Sequence, residues 1–295
     1  MCLSAVCARA DDGQAQPAAG APAQIAFSGW AGPQLRVFVL RPEAAGPDAP
    51  VVFVMHGVKR DADRYFADWR PLAERHGFVL VVPEFPESEF KGAAGYNLGG
   101  LVDRNGEAGP RAVSAFAAIE PLFDDVRARY GLTTNAYFLY GHSAGAQFAH
   151  RFALFGFGPR ARATIAANAG WYTFPDSGEW PYGPTGLPDG LFDPRAALAA
   201  PLIVLAGEAD IDPAHPSLRR TRQANAQGAT RFDRARTFYA AGVALAAKNG
   251  LPIAWSCVTA PGVDHDDAKA APFAVALMIG APPPAGEPCR RGRAL

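Results

Sequence analysis

The clearest chemical feature of the sequence is a serine between two glycines, in Gly141-His142-Ser143-Ala144-Gly145. A serine hydroxyl can act as a nucleophile when a sharp turn from a strand into a helix presents it, and flanking glycines remove the side chains that would clash there. A strand pattern precedes this motif and a helix pattern follows it. The sequence therefore predicts that Ser143 attacks a carbonyl group; the alternative is a purely structural turn.

Ser143 needs a base, because a serine hydroxyl is a poor nucleophile until its proton is removed. Among the six histidines, His265 follows the last predicted strand, and loops after parallel strands meet at the carboxyl edge of the sheet, where sites form. His142 adjoins the serine, but we expect its side chain to point away from the turn. His215 lies too close to the candidate acids to belong to a separate loop. We predict His265 as the general base; the alternative is a surface histidine among carboxylates.

An acid should orient this base, and two aspartates follow the apolar run at residues 202–206. A carboxylate there would accept the imidazole N–H, hold the tautomer and stabilise the imidazolium. We predict Asp210 in this role and keep Asp212 as the alternative, although either residue could instead cap the next helix. The order serine, acid, histidine along the chain is one of the known orders for such triads.

Two backbone N–H groups should stabilise the oxyanion that forms when the carbonyl is attacked. One is the N–H of Ala144, at the start of the predicted helix. The other is the N–H of Val58, after the predicted strand at residues 51–55, where Gly57 lets the backbone approach the substrate closely. We also predict that His56 and Gly57 contact the substrate; the alternative interpretation of this pair is an ordinary strand-end turn.

The segment 171–195 is rich in proline, glycine and aromatic residues and follows a predicted strand, so that it should emerge beside Ser143. Because proline and glycine disfavour helices, we expect a compact loop and an open cleft. Predicted substrate contacts here and at the serine motif are His142, Trp171 and Tyr172, with Trp180 and Tyr182 as further candidates. The alternative is that these rings pack the loop onto the body of the protein.

The elements that must position these residues alternate along the chain. Apolar runs predict strands near residues 25–30, 37–40, 51–55, 78–82, 136–140, 163–167, 202–206 and 253–258. Helical spacing predicts helices at residues 63–75, 113–130 (interrupted at Pro121), 147–155 and 232–247. Such alternation predicts an α/β fold, with a mostly parallel central sheet and helices on both faces. The long glycine-rich stretch 84–110 is expected to be a functional loop.

Composition excludes several kinds of partner. Lysine plus arginine and aspartate plus glutamate both number 28 in the 295 residues, so the formal net charge is zero and nothing favours nucleic acid or an anionic membrane. No apolar stretch approaches the roughly 20 residues of a membrane-spanning helix. No HExxH motif is present, and we predict no metal and no cofactor. The predicted partner is a small-molecule or oligomeric ester.

The two ends of the chain differ from its body. Ala8-Arg9-Ala10 has the small-x-small form of a signal-peptidase site, so we interpret residues 1–24 as a signal-peptide remnant and flexible lead-in; the alternative is a disordered cytosolic N-terminus. The predicted domain spans residues 25–281, followed by a proline-rich tail at 282–295. An exported protein would join Cys257 to Cys289; the alternative is two free thiols. We expect the protein to be secreted or periplasmic.

Residues 35–280 resemble the α/β-hydrolase superfamily, through His56-Gly57, the motif at 141–145, Gly207 to Asp210 and Asp264-His265. Within it the chain resembles the polyhydroxybutyrate depolymerase-like esterases, near feruloyl and acetylxylan esterases. That likeness rests on HGVKRDADRY at 56–65, Tyr96-Asn97-Leu98-Gly99 and Gly170-Trp171-Tyr172. It implies an α/β-hydrolase fold; many relatives place a helical cap where this chain has its aromatic segment. Unlike the secreted depolymerases, the chain shows no substrate-binding domain after the catalytic part, which speaks against action on solid polymer.

These observations predict a serine hydrolase that cleaves carboxylic esters through an acyl-enzyme intermediate. The expected substrates are short-chain, aryl or hydroxyacid esters. The alternatives are a serine peptidase and a binding protein that keeps the fold without catalysis. The presence of all three predicted triad members argues against the binding protein. Nothing in the sequence predicts the oligomeric state.

Overall fold

A nine-stranded sheet forms the centre of the protein in the computed structural model, which describes residues 19–280 and 285–293. The strands are β1 (Ala23–Phe27), β2 (Leu35–Leu40), β3 (Val51–Met55), β4 (Val79–Glu84), β5 (Tyr137–His142), β6 (Ala161–Ala167), β7 (Leu202–Gly207), β8 (Ser256–Ala260) and β9 (Arg290–Arg291). Their order is β1-β2-β4-β3-β5-β6-β7-β8-β9. Only the pairings of β2 with β1 and with β4 are antiparallel. The prediction of a mostly parallel sheet is confirmed.

Helices cover both faces of this sheet. They are α1 (Ala62–His76), α2 (Gly92–Gly95), α3 (Ile119–Tyr130), α4 (Ala144–Leu154), α5 (Pro194–Ala199), α6 (Arg222–Ala226), α7 (Arg231–Asn249) and α8 (Asp267–Ile279). Side chains of α1 and α8 pack in one buried cluster, and those of α3, α4 and α7 pack in the other. In β3, Phe53 faces the second cluster and Val52 the first, because successive side chains of a strand point to opposite faces. A strand buried on both faces is therefore apolar throughout, as the sequence VVFVM indicates.

The register of the parallel strands brings the candidate site residues to one edge. Met55 pairs with Gly141, and Gly207 pairs with Ala260. The segments that follow β3, β5, β7 and β8 therefore leave the sheet at the same edge. These segments carry the predicted oxyanion loop, nucleophile, acid and base. No large helical cap covers this edge in the described residues, and the predicted fold class is confirmed.

Several elements differ from the sequence prediction. The last buried strand is Ser256–Ala260 rather than residues 253–258. The segment predicted as one helix at 113–130 begins with two short 3-10 turns, and α3 starts only at Ile119. Pro121 then falls in the first turn of α3, where its missing N–H costs nothing. Helices α2, α5, α6 and α8 and strand β9 were not predicted, although Asp266 caps α8 by accepting from Ala268 N.

The C-terminal tail is attached to the body by the disulfide between Cys257 and Cys289, which confirms that prediction. Beside it, Arg290–Arg291 pairs in parallel with β8. The sequence separation of the cysteines is 32, and closing a loop of such length contributes about 4 kcal/mol in the chain-entropy estimate. Because β8 leads into the segment with His265, the disulfide steadies the strand before that segment.

The predicted leader remnant lies at residues 1–18, outside the described residues, and the domain boundaries stay predictions. Residues 281–284 and 294–295 of the predicted tail also lie outside them. Among the helices that the structure describes, none combines the length and apolar character needed to cross a membrane.

Candidate active site

The turn at Ser143 has the backbone geometry that presents a nucleophile. The backbone of Ser143 has φ 57 and ψ −113, a conformation that residues other than glycine rarely adopt. A Cβ at Gly141 would lie 2.1 Å from the carbonyl oxygen of Gly145, and one at Gly145 would lie 2.0 Å from that of Met55. Both glycines are therefore required by close approaches of backbone to backbone. The N–H of Ala144 opens α4, where the first N–H groups have no carbonyl one turn back.

A continuous chain of hydrogen bonds connects the three predicted catalytic side chains. His265 Nε2 lies 3.1 Å from Ser143 Oγ, and His265 Nδ1 lies 2.8 Å from Asp210 Oδ2. A carboxylate only accepts, so Nδ1 carries the hydrogen and Nε2 is free to accept from the serine hydroxyl. The structure thus brings together the three side chains named from sequence. Asp212, the alternative acid, is exposed and accepts from Ala214 N in a local turn.

Arg231 holds the second oxygen of Asp210. Its Nη1 donates to Asp210 Oδ1 over 3.1 Å, and its Nη2 donates to Ser217 Oγ. Arg231 is 1% exposed and Asp210 3% exposed. Burial lowers the pKa of the Arg231 guanidinium, and the carboxylate of Asp210 opposes this effect. The pair leaves one carboxylate oxygen for the imidazole and compensates the buried charge.

Asn168, at the end of β6, connects the loops that carry the acid and the base. Its side-chain oxygen accepts from Gly207 N and its amide donates to the carbonyl of Asp264, over 2.7 and 2.8 Å. Asn168 has φ 52, a conformation that asparagine tolerates better than most residues. Together with the backbone hydrogen bond from Ala209 N to the carbonyl of Val263, this side chain sets the spacing between β7 and the loop of His265.

Buried aromatic residues pack against the loop after β3 and fix its position. His56 is fully buried, accepts from Phe85 N at Nε2 and stacks on Tyr96 with ring centroids 4.7 Å apart. Burial lowers the pKa of His56 to about 4, so this ring is neutral. Tyr96 donates its hydroxyl to the His56 carbonyl. These contacts fix the backbone that leads to Val58.

Two further histidines lie beside His265, and for His142 this differs from the expectation that its side chain points away from the turn. The ring centroid of His142 is 4.7 Å from that of His265, and His142 Nδ1 lies 3.3 Å from the Tyr65 hydroxyl. Burial lowers the pKa of His142 well below its ordinary value, so a neutral ring packs against the base. His215 lies 5.2 Å from His265 between ring centroids. The loops after β5 and β7 converge here, so neither ring points away from the site.

Asp267 is a buried carboxyl group two residues after His265. It accepts from Tyr140 Oη over 2.8 Å and from Trp69 Nε1 over 3.2 Å. Burial raises its pKa to about 7, against the two hydrogen bonds, which act to lower it. The first residue of α8 is thus tied to β5 and α1, and with it the end of the His265 loop.

We expect Asp267→Asn to change how stability depends on pH. In the unfolded chain an aspartate gives up its proton near pH 3.9, whereas Asp267 holds it until about pH 7 in the folded protein. The folded state therefore binds more protons between these values, and this group's contribution to stability falls as pH rises through that window. The free energy of unfolding of Asp267→Asn relative to wild type should rise by at most about 1.4 kcal/mol per pH unit there. Urea unfolding of both proteins from pH 4 to 8 measures it; a constant difference would contradict the prediction.

Two cavities meet at Ser143. The first, here the His265 cavity, has a volume of about 690 Å³ and is lined by His265, His142, Gly57 and Val58 among others. The second, the Trp171 cavity, has a volume of about 450 Å³ and is lined by Trp171, Ala144, Gln147 and Arg219 among others. Val58 and Ser143 border both. A substrate whose reactive carbonyl lies at Ser143 has room on both sides.

The predicted substrate contacts divide between cleft and core. Gly57, Val58, His142 and Ala144 line the cavities, and so does Trp171, although only 3% of it is exposed. His56 and Tyr172 line neither cavity, which corrects the prediction for these two. Tyr172 is fully buried and stacks on Phe238, because the chain turns into the core directly after Trp171. Trp180 packs against Phe155, and Tyr182 against Trp171.

Sequence reasoning missed Arg231, Asn168 and Asp267. A signal existed for Arg231, since a cation in the first turn of a helix opposes the helix dipole and needs another reason to be there. Asn168 directly follows a strand, and asparagine is one of the residues that most often adopt a positive φ. Asp267 gave no such signal, because nothing in the sequence distinguishes it from the neighbouring Asp264 and Asp266. In the part of the chain that the structure describes, no group of three or more histidine, cysteine, aspartate or glutamate side chains could hold a metal ion.

The sheet, the helices on both faces and the site at its carboxyl edge define an α/β-hydrolase. The family model described as Esterase PHB depolymerase matches residues 36–170. A poly(aspartic acid) hydrolase from Sphingomonas sp. KT-1 is 37% identical, with a TM-score of 0.84, over 88% of this chain and 99% of that one. A poly(3-hydroxybutyrate) depolymerase from Bordetella parapertussis is 32% identical, with a TM-score of 0.79, over 88% of this chain and 90% of that one.

The chain belongs to the PHB depolymerase esterase family and is a carboxylic ester hydrolase. An S-formylglutathione hydrolase from Agrobacterium tumefaciens shares the fold at 16% identity and a TM-score of 0.54, covering 90% of this chain and 96% of that one. No curated protein sequence matched this chain.

Proposed function

We propose that the protein cleaves esters by acyl transfer to Ser143, with His265 as general base and Asp210 as the residue that orients it. The observation that carries this proposal is the hydrogen-bond chain from Asp210 through His265 to Ser143, with distances of 2.8 and 3.1 Å. Because Nδ1 donates to the carboxylate, Nε2 can take the serine proton as the hydroxyl attacks.

The remaining steps use the same groups. The N–H groups of Ala144 and Val58 stabilise the oxyanion of the tetrahedral intermediate. His265 then gives its proton to the leaving alcohol, and an acyl-enzyme remains on Ser143. A water molecule, deprotonated by His265, attacks the acyl-enzyme and releases the acid. Asp210 stabilises the imidazolium in both halves, and Arg231 holds Asp210 in place.

The open cleft supports oligomeric or bulky substrates. Space on both sides of Ser143 fits a hydroxyacid oligomer, in which the acid and the alcohol portions are both extended. A relative named as a poly(3-hydroxybutyrate) depolymerase agrees with such a substrate. The poly(aspartic acid) hydrolase at 37% identity favours amide bonds of an anionic polymer as a second candidate. The disulfide supports function in an oxidising compartment, secreted or periplasmic.

A substrate panel with active-site labelling tests the proposal. The panel contains p-nitrophenyl esters of rising chain length, aryl esters, oligomers of 3-hydroxybutyrate and oligomers of aspartate. We expect ester hydrolysis that persists with a chelator, and a serine-directed phosphonate that labels Ser143 and blocks activity in the same proportion. Loss of activity with the chelator, or a label on another residue, would contradict the mechanism. Faster cleavage of the aspartate oligomers would favour the second candidate.

A further inference from the structure

The two cavities beside Ser143 carry opposite charge. The His265 cavity is bordered by the ionised carboxylates of Asp61, Asp210, Asp212, Asp264 and Asp266 and by the cations Lys59 and Arg64. Asp61, Asp210 and Asp264 pair with Arg64, Arg231 and Lys269, so that Asp212 and Asp266, against Lys59, leave this border negative. The Trp171 cavity is bordered by Arg60, Arg219 and a single carboxylate, Glu87. Glu87 pairs with Arg60 over 2.9 Å. Arg219 therefore provides the uncompensated charge of the Trp171 cavity.

The proposed mechanism assigns a part of the substrate to each cavity. His265 must reach the leaving oxygen to protonate it, so the alcohol portion lies on the side of His265. His265 borders the first cavity and is absent from the lining of the second. The acyl portion accordingly extends into the Trp171 cavity. This assignment rests on the proposed function.

Arg219 is held in place without losing its charge. Its Nε donates to the Tyr182 hydroxyl over 2.7 Å, and its guanidinium lies 4.9 Å from the centroid of the Trp171 ring. Among the described residues no carboxylate pairs with it, and Arg219 is exposed at the cavity border. Its two terminal nitrogens remain available to a ligand. A planar guanidinium fixed in this way suits bidentate binding of a carboxylate.

A second guanidinium lies behind the same tryptophan. Arg151 is fully buried, and its guanidinium lies 4.2 Å from the centroid of the Trp171 ring. It donates to Thr173 Oγ1 and to the carbonyls of Asn97 and Gln147. Within the described part of the chain it likewise has no carboxylate partner, and its Nη2 has no hydrogen-bond partner. Burial and the nearby Arg219 lower the pKa of Arg151. An anion in the cavity would relieve this repulsion between cations.

The floor of the cavity offers a further donor. Asn97 and Gln147 are 6% and 7% exposed, and Asn97 Nδ2 donates to Gln147 Oε1 over 2.8 Å. The oxygen of Gln147 is thus occupied, and its amide N–H groups are left for a ligand. Both residues border the Trp171 cavity.

We propose that the Trp171 cavity is a carboxylate-binding acyl subsite, in which Arg219 binds an anionic group carried by the acyl portion of the substrate. The substrate class is then the esters of dicarboxylic acids and of acidic oligomers. Asp212 and Asp266 at the border of the opposite cavity repel the same group, so an anionic acyl chain favours the direction that brings its anion to Arg219. Arg219 acts on binding and specificity, and the reaction at Ser143 is the one described above.

A pair of esters of equal shape tests the subsite. Monoethyl glutarate carries a carboxylate at the end of its acyl chain, and ethyl glutaramate carries a neutral amide at the same place. We expect wild-type kcat/KM, measured by pH-stat, to be about tenfold higher for the carboxylate, as a charge-assisted hydrogen bond provides. This preference should weaken at high salt, because the guanidinium is exposed.

Arg219→Gln should reduce the ratio of the two kcat/KM values about tenfold, towards one, whereas Arg219→Lys should keep part of it. Arg222→Gln is the matched control. Arg222 is also exposed and borders neither cavity, and its replacement by glutamine removes the same charge as Arg219→Gln does. Because each ratio compares two substrates with one protein, a general loss of activity cancels.

Equal wild-type values for the two esters, or equal ratios in Arg219→Gln and Arg222→Gln, would overturn the subsite while leaving ester hydrolysis intact. If the wild-type protein cleaves neither of the two esters and also fails to cleave p-nitrophenyl acetate, this would instead overturn the proposed function and the subsite with it.

Discussion

Replacement of Ser143 by alanine is expected to lower kcat/KM for a carboxylic ester by roughly 10⁴- to 10⁶-fold. The acyl-enzyme cannot form without Oγ, and only the oxyanion donors and the binding cavities remain to act on a direct attack by water. Steady-state hydrolysis of p-nitrophenyl acetate, with a correction for the uncatalysed rate, measures the loss. Retention of a tenth of the activity would exclude Ser143 as the nucleophile.

Two further variants separate chemistry from folding. Ser143→Ala combined with His265→Ala should be no slower than Ser143→Ala alone, because the two side chains act as one unit. Ser143→Gly should be equally inactive yet more stable, since glycine adopts the backbone conformation with φ 57 and ψ −113 without strain. A less stable Ser143→Gly protein would contradict the account of the strained turn.

Replacement of Gly145 by alanine should strongly destabilise the protein. Its Cβ would lie 2.0 Å from the carbonyl oxygen of Met55 and 2.8 Å from that of His56. These atoms belong to the backbone at the end of β3, where Met55 pairs with Gly141, so they cannot move without disturbing the sheet. We expect the free energy of unfolding to fall by about 3 kcal/mol or more, since overpacking against backbone leaves no flexible neighbour to yield.

Gly250→Ala is the matched control for this prediction. Gly250 ends α7 with φ 60, and nothing lies within 4 Å of the Cβ that alanine would add. Its cost should be that of the left-handed backbone alone, about 1–2 kcal/mol. Urea unfolding of both variants gives the comparison. A smaller loss for Gly145→Ala than for Gly250→Ala would show that β3 and α4 can separate more easily than the structure indicates.

The local pattern of the sequence determined the fold class and the three central side chains. Runs such as VVFVM encode strands buried on both faces, and parallel strands place the loops that follow them at one edge. Ser143, Asp210 and His265 could therefore be named without coordinates, because each follows a strand in a known order. The pairing of Cys257 with Cys289 was predictable for a similar reason, as these are the two cysteines of the predicted body and tail.

The residues around this core of the site were decided by tertiary structure. Trp69 and Asp267, which share a hydrogen bond, are 198 positions apart, and the two ends of the Arg151–Trp171 contact lie on different elements. The side chain of His142 was expected to point away from the turn, and the contact of His215 with His265 was not predicted, since the convergence of loops on His265 has no local signature. Tyr172 was expected in the cleft, but its side chain lies in the core, one residue after Trp171.

The charge of the two cavities shows the same division. The sequence determines a net charge of zero for the whole chain, which says nothing of how charges are distributed. Among the described residues, folding places the unpaired carboxylates of Asp212 and Asp266 at one cavity and leaves Arg219 without a carboxylate partner at the other. Hydrophobic periodicity reports on residues that are close in the chain, and so it predicts local structure. A binding surface is assembled from segments that meet only after the sheet has formed. The sequence alone therefore predicted the chemistry that we propose at Ser143, and the tertiary structure decided what charge a substrate meets on either side of it.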